Sequence, residues 1–154
     1  MTTADTGPRF ALDIGARETV ITSASGATWT LAVGSAALWP PSASGPSALA
    51  VENGIQTVED AIERIAAQVP RGARMVLSAR SLAPLQRGGA IAALAQGSIG
   101  LEDIEREYQW LAARAVGAPS AHGSGFDDAT GDAVLLILRE LMHHLGLRSL
   151  HGAG

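Results

Sequence analysis

The polar residues between positions 122 and 132 form the part of the chain that is richest in groups capable of chemistry. An imidazole, a hydroxyl and three carboxylates follow one another in a glycine-rich stretch: His122, Ser124, Asp127, Asp128 and Asp132. Carboxylate oxygens are the ligands that a hard cation such as Mg²⁺ prefers. The same stretch precedes a predicted helix, where unpaired N–H groups and the helix dipole favour acidic side chains. Helix capping therefore explains the acids fully, and a metal site is the alternative interpretation.

Asp13 is a further carboxylate near the end of the first predicted strand. It could complete a metal site with Asp127, Asp128 or Asp132, and the chain would then be a metal-dependent hydrolase or nuclease. Metal–oxygen bonds are about 2 Å long, so this hypothesis requires Asp13 and the later loop to converge on one cation position. The preferred interpretation is that Asp13 lies on the solvated face of the sheet, near Arg9 or Arg17.

Two arginines near a pair of glycines indicate a second kind of site beyond the fourth predicted strand. Arg80 and Arg87 precede Gly88 and Gly89, whose amides could form a nest for a phosphate group. Two adjacent glycines match neither a Walker A loop nor a dinucleotide fingerprint. A break between helices is therefore the preferred interpretation, and a small-anion-binding protein is an alternative function.

The adjacent residues His143 and His144 lie late in the last predicted helix. Glu140 lies one turn before His144, which is the spacing of two ligands on one helix face. A zinc site needs at least three protein ligands, and adjacent histidines project about 100° apart on a helix. Imidazoles are also favoured near a helix C-terminus. We therefore predict no cofactor and no firm metal ligand.

The composition removes several catalytic classes. The sequence has no cysteine and no lysine, which excludes a thiolate nucleophile, a Schiff-base lysine and a P-loop lysine. No G-x-S-x-G elbow surrounds Ser124, so no catalytic serine is recognisable. By these criteria we predict a non-catalytic protein and keep an enzyme as the alternative.

Length and composition predict one compact domain. The chain has 154 residues, 47% of them apolar and 17% charged, and a formal net charge of −4. The arginines are scattered, which argues against a nucleic-acid partner. No membrane-spanning run or signal sequence is recognisable, so we expect a cytoplasmic protein. Residues 1–7 and 148–154 are expected to form loose tails.

The first half of the chain predicts a three-stranded meander followed by a long helix and a fourth strand. Apolar residues alternate within 9–14, 18–23 and 28–33, which is the period of half-buried strands. Six β-branched residues then recur every three or four positions: Val51, Ile55, Val58, Ile62, Ile65 and Val69. This period predicts a helix that ends near Pro70, with Ser47 as its N-cap and Gly54 as its weak point. A strand is expected over 74–78.

Three further helices are predicted over about 81–96, 101–116 and 130–145, each ended by glycine or proline. The fold class is therefore α+β: a small, mostly antiparallel sheet in the order β-β-β-α-β, with four helices packed on it in two layers. This layout is similar to that of RNase H-like nucleases, which gather carboxylates around divalent metals. A fifth strand is missing and Ser78 stands where an acid is wanted, so we assign no family.

Surplus apolar residues are the main indication of function. Helical phase places Trp110 and Leu136 on the polar sides of their helices, and Trp39 lies in a proline-rich loop. Exposed aromatic side chains often anchor interfaces. The preferred hypothesis is a self-associating or accessory interaction domain. Its partner would be a second copy of the chain, in a homodimer, or another protein. The hydrolase or nuclease and the anion-binding protein are the alternatives.

Overall fold

The computed structural model describes residues 7–42, 45–86, 91, 94, 97–126 and 128–153. Residues 1–6, most of the predicted N-terminal tail, lie outside this set. The described strands are β1 (Arg9–Ile14), β2 (Thr19–Ser23), β3 (Thr28–Leu31), β4 (Arg74–Leu77), β5 (Ser98–Gly100) and β6 (Ser149–Gly152). The described α-helices are α1 (Ala48–Glu63), α2 (Ala79–Leu82), α3 (Leu101–Ala115) and α4 (Gly131–Leu145). None of these helices is long and apolar enough to cross a membrane.

The six strands form one sheet in the order β3-β2-β1-β4-β6-β5, and the α+β class is confirmed. The sheet is mixed rather than mostly antiparallel. The meander β1-β2-β3 is antiparallel, but β4 pairs parallel with β1 and β6 pairs parallel with β4. The difference arises because α1 carries the chain across the core between β3 and β4, and such crossovers return a strand in the parallel direction.

Two strands were not expected from the sequence. β5 supplies the missing fifth strand, and β6 replaces the predicted loose tail after position 148. β6 lies inside the sheet, between β4 and β5, and its Leu150 pairs with Ile99 of β5. Both side chains are buried, at 0% and 5% exposure. This burial on one face and pairing on both edges hold the C-terminal segment in place.

The apolar stripe of the long predicted helix is buried, as expected, except at Ile55, which is partly buried. Val58 and Ile62 are fully inaccessible, and Ser47 caps α1 by accepting a hydrogen bond from the amide of Ala50. The helix ends at Glu63, earlier than expected, and a short 3₁₀ turn carries the stripe onward to Val69. α1 is continuous through Gly54.

Gly54 serves close packing rather than a break in α1. A Cβ at this position would lie 3.1 Å from Cδ2 of Leu136 and 3.2 Å from Cζ3 of Trp39. Glycine therefore allows α1 to approach α4 and the proline-rich loop more closely than alanine would.

α4 is the central helix of the helical layer, with α1 and α3 packed against it. Ten consecutive positions from Ala133 to Met142 include nine buried residues, and only Arg139 among them is partly exposed. The prediction that Leu136 faces outward is wrong, because its side chain is 0% exposed. The prediction assumed that one side of the helix faces solvent, whereas α4 is buried on all sides between Ala133 and Leu138.

The helix expected over 81–96 is only partly described. α2 is a single turn, and a 3₁₀ turn at Ala83–Leu85 follows it with Pro84 near its start. Residues 87–90, 92–93 and 95–96 lie outside the described residues. Ile91 and Leu94 are both buried in the core.

The burial of Leu136 predicts a large loss of stability on truncation. Leu136→Ala should lower the free energy of unfolding by about 2–5 kcal/mol, because it opens a cavity between α4 and α1. Leu49→Ala is the matched control, since Leu49 is 65% exposed on α1, and it should change stability by less than about 0.5 kcal/mol. Urea denaturation measures both. Equal effects would show that Leu136 is not buried in solution.

Candidate functional site at the carboxyl ends of β1 and β4

The strand order reverses between the parallel strands β1 and β4, which makes this pair the topological switch point of the sheet. From β1 the chain continues to β2 and β3 on one side, whereas β4 is followed in the sheet by β6 and β5 on the other. Ligands of open sheets bind beyond the carboxyl ends of parallel strands at such switch points. A ligand site is therefore expected at the carboxyl ends of β1 and β4.

Asp13 lies at this edge and receives hydrogen bonds from residues that follow β4. The hydroxyl of Ser78 donates to Asp13 Oδ1 at 2.6 Å, and Nε of Arg80 donates to the same oxygen at 3.3 Å. A second guanidinium nitrogen of Arg80 pairs with the other carboxylate oxygen. The arginine that pairs with Asp13 is therefore Arg80 of α2 and not Arg9 or Arg17, because β4 and α2 lie beside the end of β1.

Ser78 and Ser81 fix the two strand ends to each other. Ser78 is the N-cap of α2 and accepts a hydrogen bond from the amide of Ser81 at 3.2 Å. The fully buried hydroxyl oxygen of Ser81 accepts from the amide of Ile14 at 2.7 Å and lies 2.9 Å from the Ser78 hydroxyl. The hydroxyl oxygens of Ser78 and Ser81 thus each accept a hydrogen bond from a backbone amide at these strand ends.

The environment of Asp13 favours its ionised form. Partial burial by itself raises the pKa of this carboxyl. The hydrogen bonds from Ser78 and Arg80, together with the positive charge of Arg80, outweigh that effect and hold the pKa below its ordinary value. Asp13 is therefore a carboxylate at neutral pH and can act only as an acceptor or a cation ligand.

The turn after Asp13 is tightly held and leaves room for the guanidinium of Arg80. The amide of Gly15 donates to the carbonyl of Glu18, and the amide of Ser35 donates to the carbonyl of Gly15, both at 2.9 Å. A Cβ on Gly15 would lie 3.2 Å from Nη2 of Arg80. A Cβ on Gly34 would lie 2.5 Å from the backbone of Ala16, so glycine is required for this approach.

A cavity of about 850 Å³ opens beside this turn. It begins at Ser35, whose amide holds the turn, and extends between the proline-rich loop and the 117–132 segment. Trp39 and Phe126 give it an apolar wall. Its polar lining includes His122, Ser124, Asp128 and Thr130. The cavity has the size and mixed lining of a small-molecule site.

The acidic residues of the 127–132 segment have local partners. Asp128 accepts hydrogen bonds from the amide and hydroxyl of Thr130, which hold its pKa below the ordinary value. Asp132 pairs with both terminal nitrogens of Arg114, at 2.6 and 2.9 Å. Asp127 lies outside the described residues. Neither described acid has Asp13 among its hydrogen-bond or ion-pair partners.

A three-ligand metal cluster around Asp13 is not found among the described residues. The group of three acidic or imidazole side chains that does come within ligating distance consists of Glu59, Glu140 and His144. His143 instead pairs with Glu105 of α3. Of the predicted anion-site residues, Arg80 pairs with Asp13, and Arg87, Gly88 and Gly89 lie outside the described part of the chain.

The three predicted interface residues have different surroundings. Trp110 is 42% exposed on α3, as an interface anchor would be. Trp39 is half-buried against the core and lines the cavity. Leu136 is inside the core, so it is not available to a partner.

Sequence reasoning identified Asp13 and Arg80 separately and did not join them. It expected an acidic residue where Ser78 stands, and it did not consider Ser81 or Gly15 as site residues. The available signal was an aspartate and glycine at the end of one strand and a Ser-x-x-Ser sequence at the end of another. Only the parallel pairing of β1 with β4 brings these signals together.

Comparison with known proteins shows similarity in structure only. No family model and no curated protein matches the sequence. Among solved structures, the type II variant of the Aquifex aeolicus Ppx/GppA phosphatase superposes with a TM-score of 0.65 at 14% identity, over 95% of this chain and 53% of that one. An exopolyphosphatase-like protein gives 0.61 at 14%, over 98% and 58%. The Cytophaga hutchinsonii exopolyphosphatase gives 0.52 at 13%, over 95% and 53%.

These similarities show that nearly the whole chain shares its fold with about half of each of these structures. The chain spans between half and three-fifths of the length of the solved structures that it matches. The similarities lend no support to the non-catalytic accessory domain that the sequence analysis preferred.

The hydrogen bond from Ser78 predicts the titration behaviour of Asp13. The pKa of Asp13, followed by carbon NMR of its carboxyl group, should lie below that of an ordinary aspartate and should rise in Ser78→Ala. The control Ser25→Ala, which alters an exposed serine pair with Ser23, should leave it unchanged.

The same titration fixes the sign of the pH dependence of stability. Because folding lowers the pKa of Asp13, its contribution to stability is present above the unfolded-state pKa and is lost as pH falls through the folded-state pKa. An Asp13 pKa at or above the ordinary value would contradict the hydrogen-bonding arrangement.

Proposed function

We propose that this chain is the phosphate-binding part of a phosphatase-like hydrolase that acts on chains of linked phosphates. The observation that carries the proposal is the placement of Asp13 and Arg80 together at the carboxyl ends of β1 and β4. The fold similarity to proteins described as exopolyphosphatases supports the choice of substrate class.

Arg80 is the group that would bind a phosphate. Its side chain is 68% exposed, and its partner Asp13 is 36% exposed. An ion pair this accessible contributes little to stability, about 0–1 kcal/mol. The guanidinium can therefore turn from Asp13 to an incoming phosphate oxygen at small cost, and its planar donors match phosphate geometry.

Asp13 would then hold the cation that accompanies a phosphate chain or orient the attacking water. A carboxylate at this position would repel a bare phosphate, but Mg²⁺ bound to the phosphates is attracted to it. The hydroxyl of Ser78 would keep the Asp13 oxygen in place while Arg80 moves. Transfer of a phosphoryl group depends mainly on such positioning and charge neutralisation.

Among the described residues, none shields the charged ends of Asp13 and Arg80 from solvent. Asp13 and Arg80 lie at an open edge, and phosphoryl transfer to water requires exclusion of bulk solvent. The solved structures of similar fold are nearly twice as long. We propose that a second polypeptide segment of comparable size covers the site.

Binding of tripolyphosphate tests the proposal directly. The chain should bind tripolyphosphate in calorimetry, more tightly with Mg²⁺ than without it. Arg80→Gln should weaken binding about ten- to a hundredfold, which corresponds to the loss of a charge-assisted hydrogen bond. Asp13→Asn should remove the gain from Mg²⁺.

Arg106→Gln is the matched control. Arg106 is 62% exposed and pairs with Asp103, which is 32% exposed, so its setting is close to that of the Arg80–Asp13 pair. It should leave the affinity unchanged within about twofold. Absence of binding by the unaltered chain, or equal affinity in Arg80→Gln, would refute the proposal. Release of inorganic phosphate from tripolyphosphate by this chain alone would contradict the proposed need for a covering segment.

Self-association is a second candidate function, and the exposure of Trp110 favours it. An indole 42% exposed on α3, close in sequence to Val116 at 71%, is the kind of anchor that interfaces use. A two-fold dimer is the simplest assembly.

Sedimentation velocity at micromolar concentration tests this candidate. The chain should sediment as a dimer, and Trp110→Ser should shift it to a monomer because the anchor is lost. Leu49→Ser is the control, since it removes an apolar side chain that is even more exposed, 65% against 42%, from another helix, α1. A monomer at all concentrations would exclude this function.

A further inference from the structure

The packing of α1 against α4 brings together three side chains that could ligate a metal ion. Glu59 comes from α1, and Glu140 and His144 lie one turn apart on α4. Nε2 of His144 lies 3.3 Å from Oε1 of Glu59 and 3.4 Å from Oε2 of Glu140. Glu59 is thus the third member that the Glu140 and His144 pair lacked at the level of sequence.

The distances match the edges of a tetrahedral coordination sphere. Zn²⁺ binds nitrogen and oxygen ligands at about 2.0–2.2 Å, which places neighbouring ligand atoms about 3.3–3.6 Å apart in a tetrahedron. Both measured separations from His144 lie in this range. The two glutamate oxygens lie within 4.8 Å of each other, and rotation of the one-third-exposed Glu59 side chain can bring them closer.

The charge around the cluster favours a bound cation. The side chain of Glu140 is only 3% exposed, and burial of a carboxylate is costly unless positive charge compensates it. Its cationic partner is Arg139, 2.6 Å from Oε1, and Arg139 also binds Glu105 at 3.0 Å. One guanidinium therefore serves two carboxylates, and Glu59 beside His144 adds a third negative charge.

When the neighbouring imidazoles are neutral, the charges of Arg139, Glu59, Glu105 and Glu140 sum to −2. A divalent cation between Glu59, Glu140 and His144 would neutralise this charge. The imidazole ligand favours a transition ion over Mg²⁺ or Ca²⁺, which prefer oxygen alone. Three protein ligands would leave a fourth position for water.

We propose that Glu59, Glu140 and His144 form a binding site for one divalent transition-metal ion of the Zn²⁺ class. The site shares no residue with the Asp13 and Arg80 site and does not depend on the proposed function. By joining α1 to α4, the bound ion would also stabilise the folded chain.

Metal titration of the tag-free, chelator-treated chain tests this proposal. Calorimetry with Zn²⁺ should give one ion per chain with micromolar or tighter affinity, and Zn²⁺ should raise the melting temperature. Co²⁺ should give the visible absorption of a tetrahedral nitrogen and oxygen site. His144→Gln and Glu59→Gln should each weaken binding at least about tenfold and remove the thermal shift.

His143→Gln is the matched control, because His143 is the adjacent residue of α4 with similar exposure, 40% against 35% for His144. It should retain one ion per chain and the thermal shift. Glu140→Gln removes a buried ligand, and circular dichroism would first establish that this variant folds. Failure to bind one Zn²⁺ below millimolar concentration, or unchanged affinity in His144→Gln, would overturn the proposal.

Discussion

The burial of the first half of α4 is the constraint on which the arrangement of the helical layer depends. The six residues from Ala133 to Leu138 are apolar and buried on every side of the helix, and α1 and α3 pack against α4. At its start, a Cβ on Gly131 would lie 2.6 Å from the carbonyl of Pro84, so α4 begins hard against the segment after α2. At its end, the polar residues of α4 emerge between the flanking helices, where Glu59 meets His144.

The parallel pairing of β1 with β4 is the second constraint, and it creates the candidate site. Asp13 and Ser78 are 65 positions apart in the chain, and no local pattern relates them. The crossover through α1 returns β4 beside β1 in the same direction, so both strands end at one edge. There a strand-end carboxylate meets a helix cap, and Arg80, two residues into α2, falls within reach of the carboxylate.

The errors of the sequence analysis have one physical cause, which is dependence on distant partners. β1 is predicted at its observed bounds because Phe10, Leu12 and Ile14 alternate with exposed residues. β5 and β6 have three and four residues, and pairing with neighbouring strands makes them strands. Leu136 was misplaced because helical phase is relative to the other residues of the helix. The proximity of Glu59 to His144 depends on which helix lies beside α4.

The exposure of the site bears on what this chain can do by itself. Asp13 and Arg80 are held at their bases by buried groups such as Ser81, yet their charged ends face water. In water a phosphate would gain less from Arg80 than it would in a site that excludes solvent, because water screens both charges. The same groups become much stronger when a second surface excludes water. Under the proposed function, phosphate binding would begin at this open edge, and hydrolysis would require a surface that excludes water.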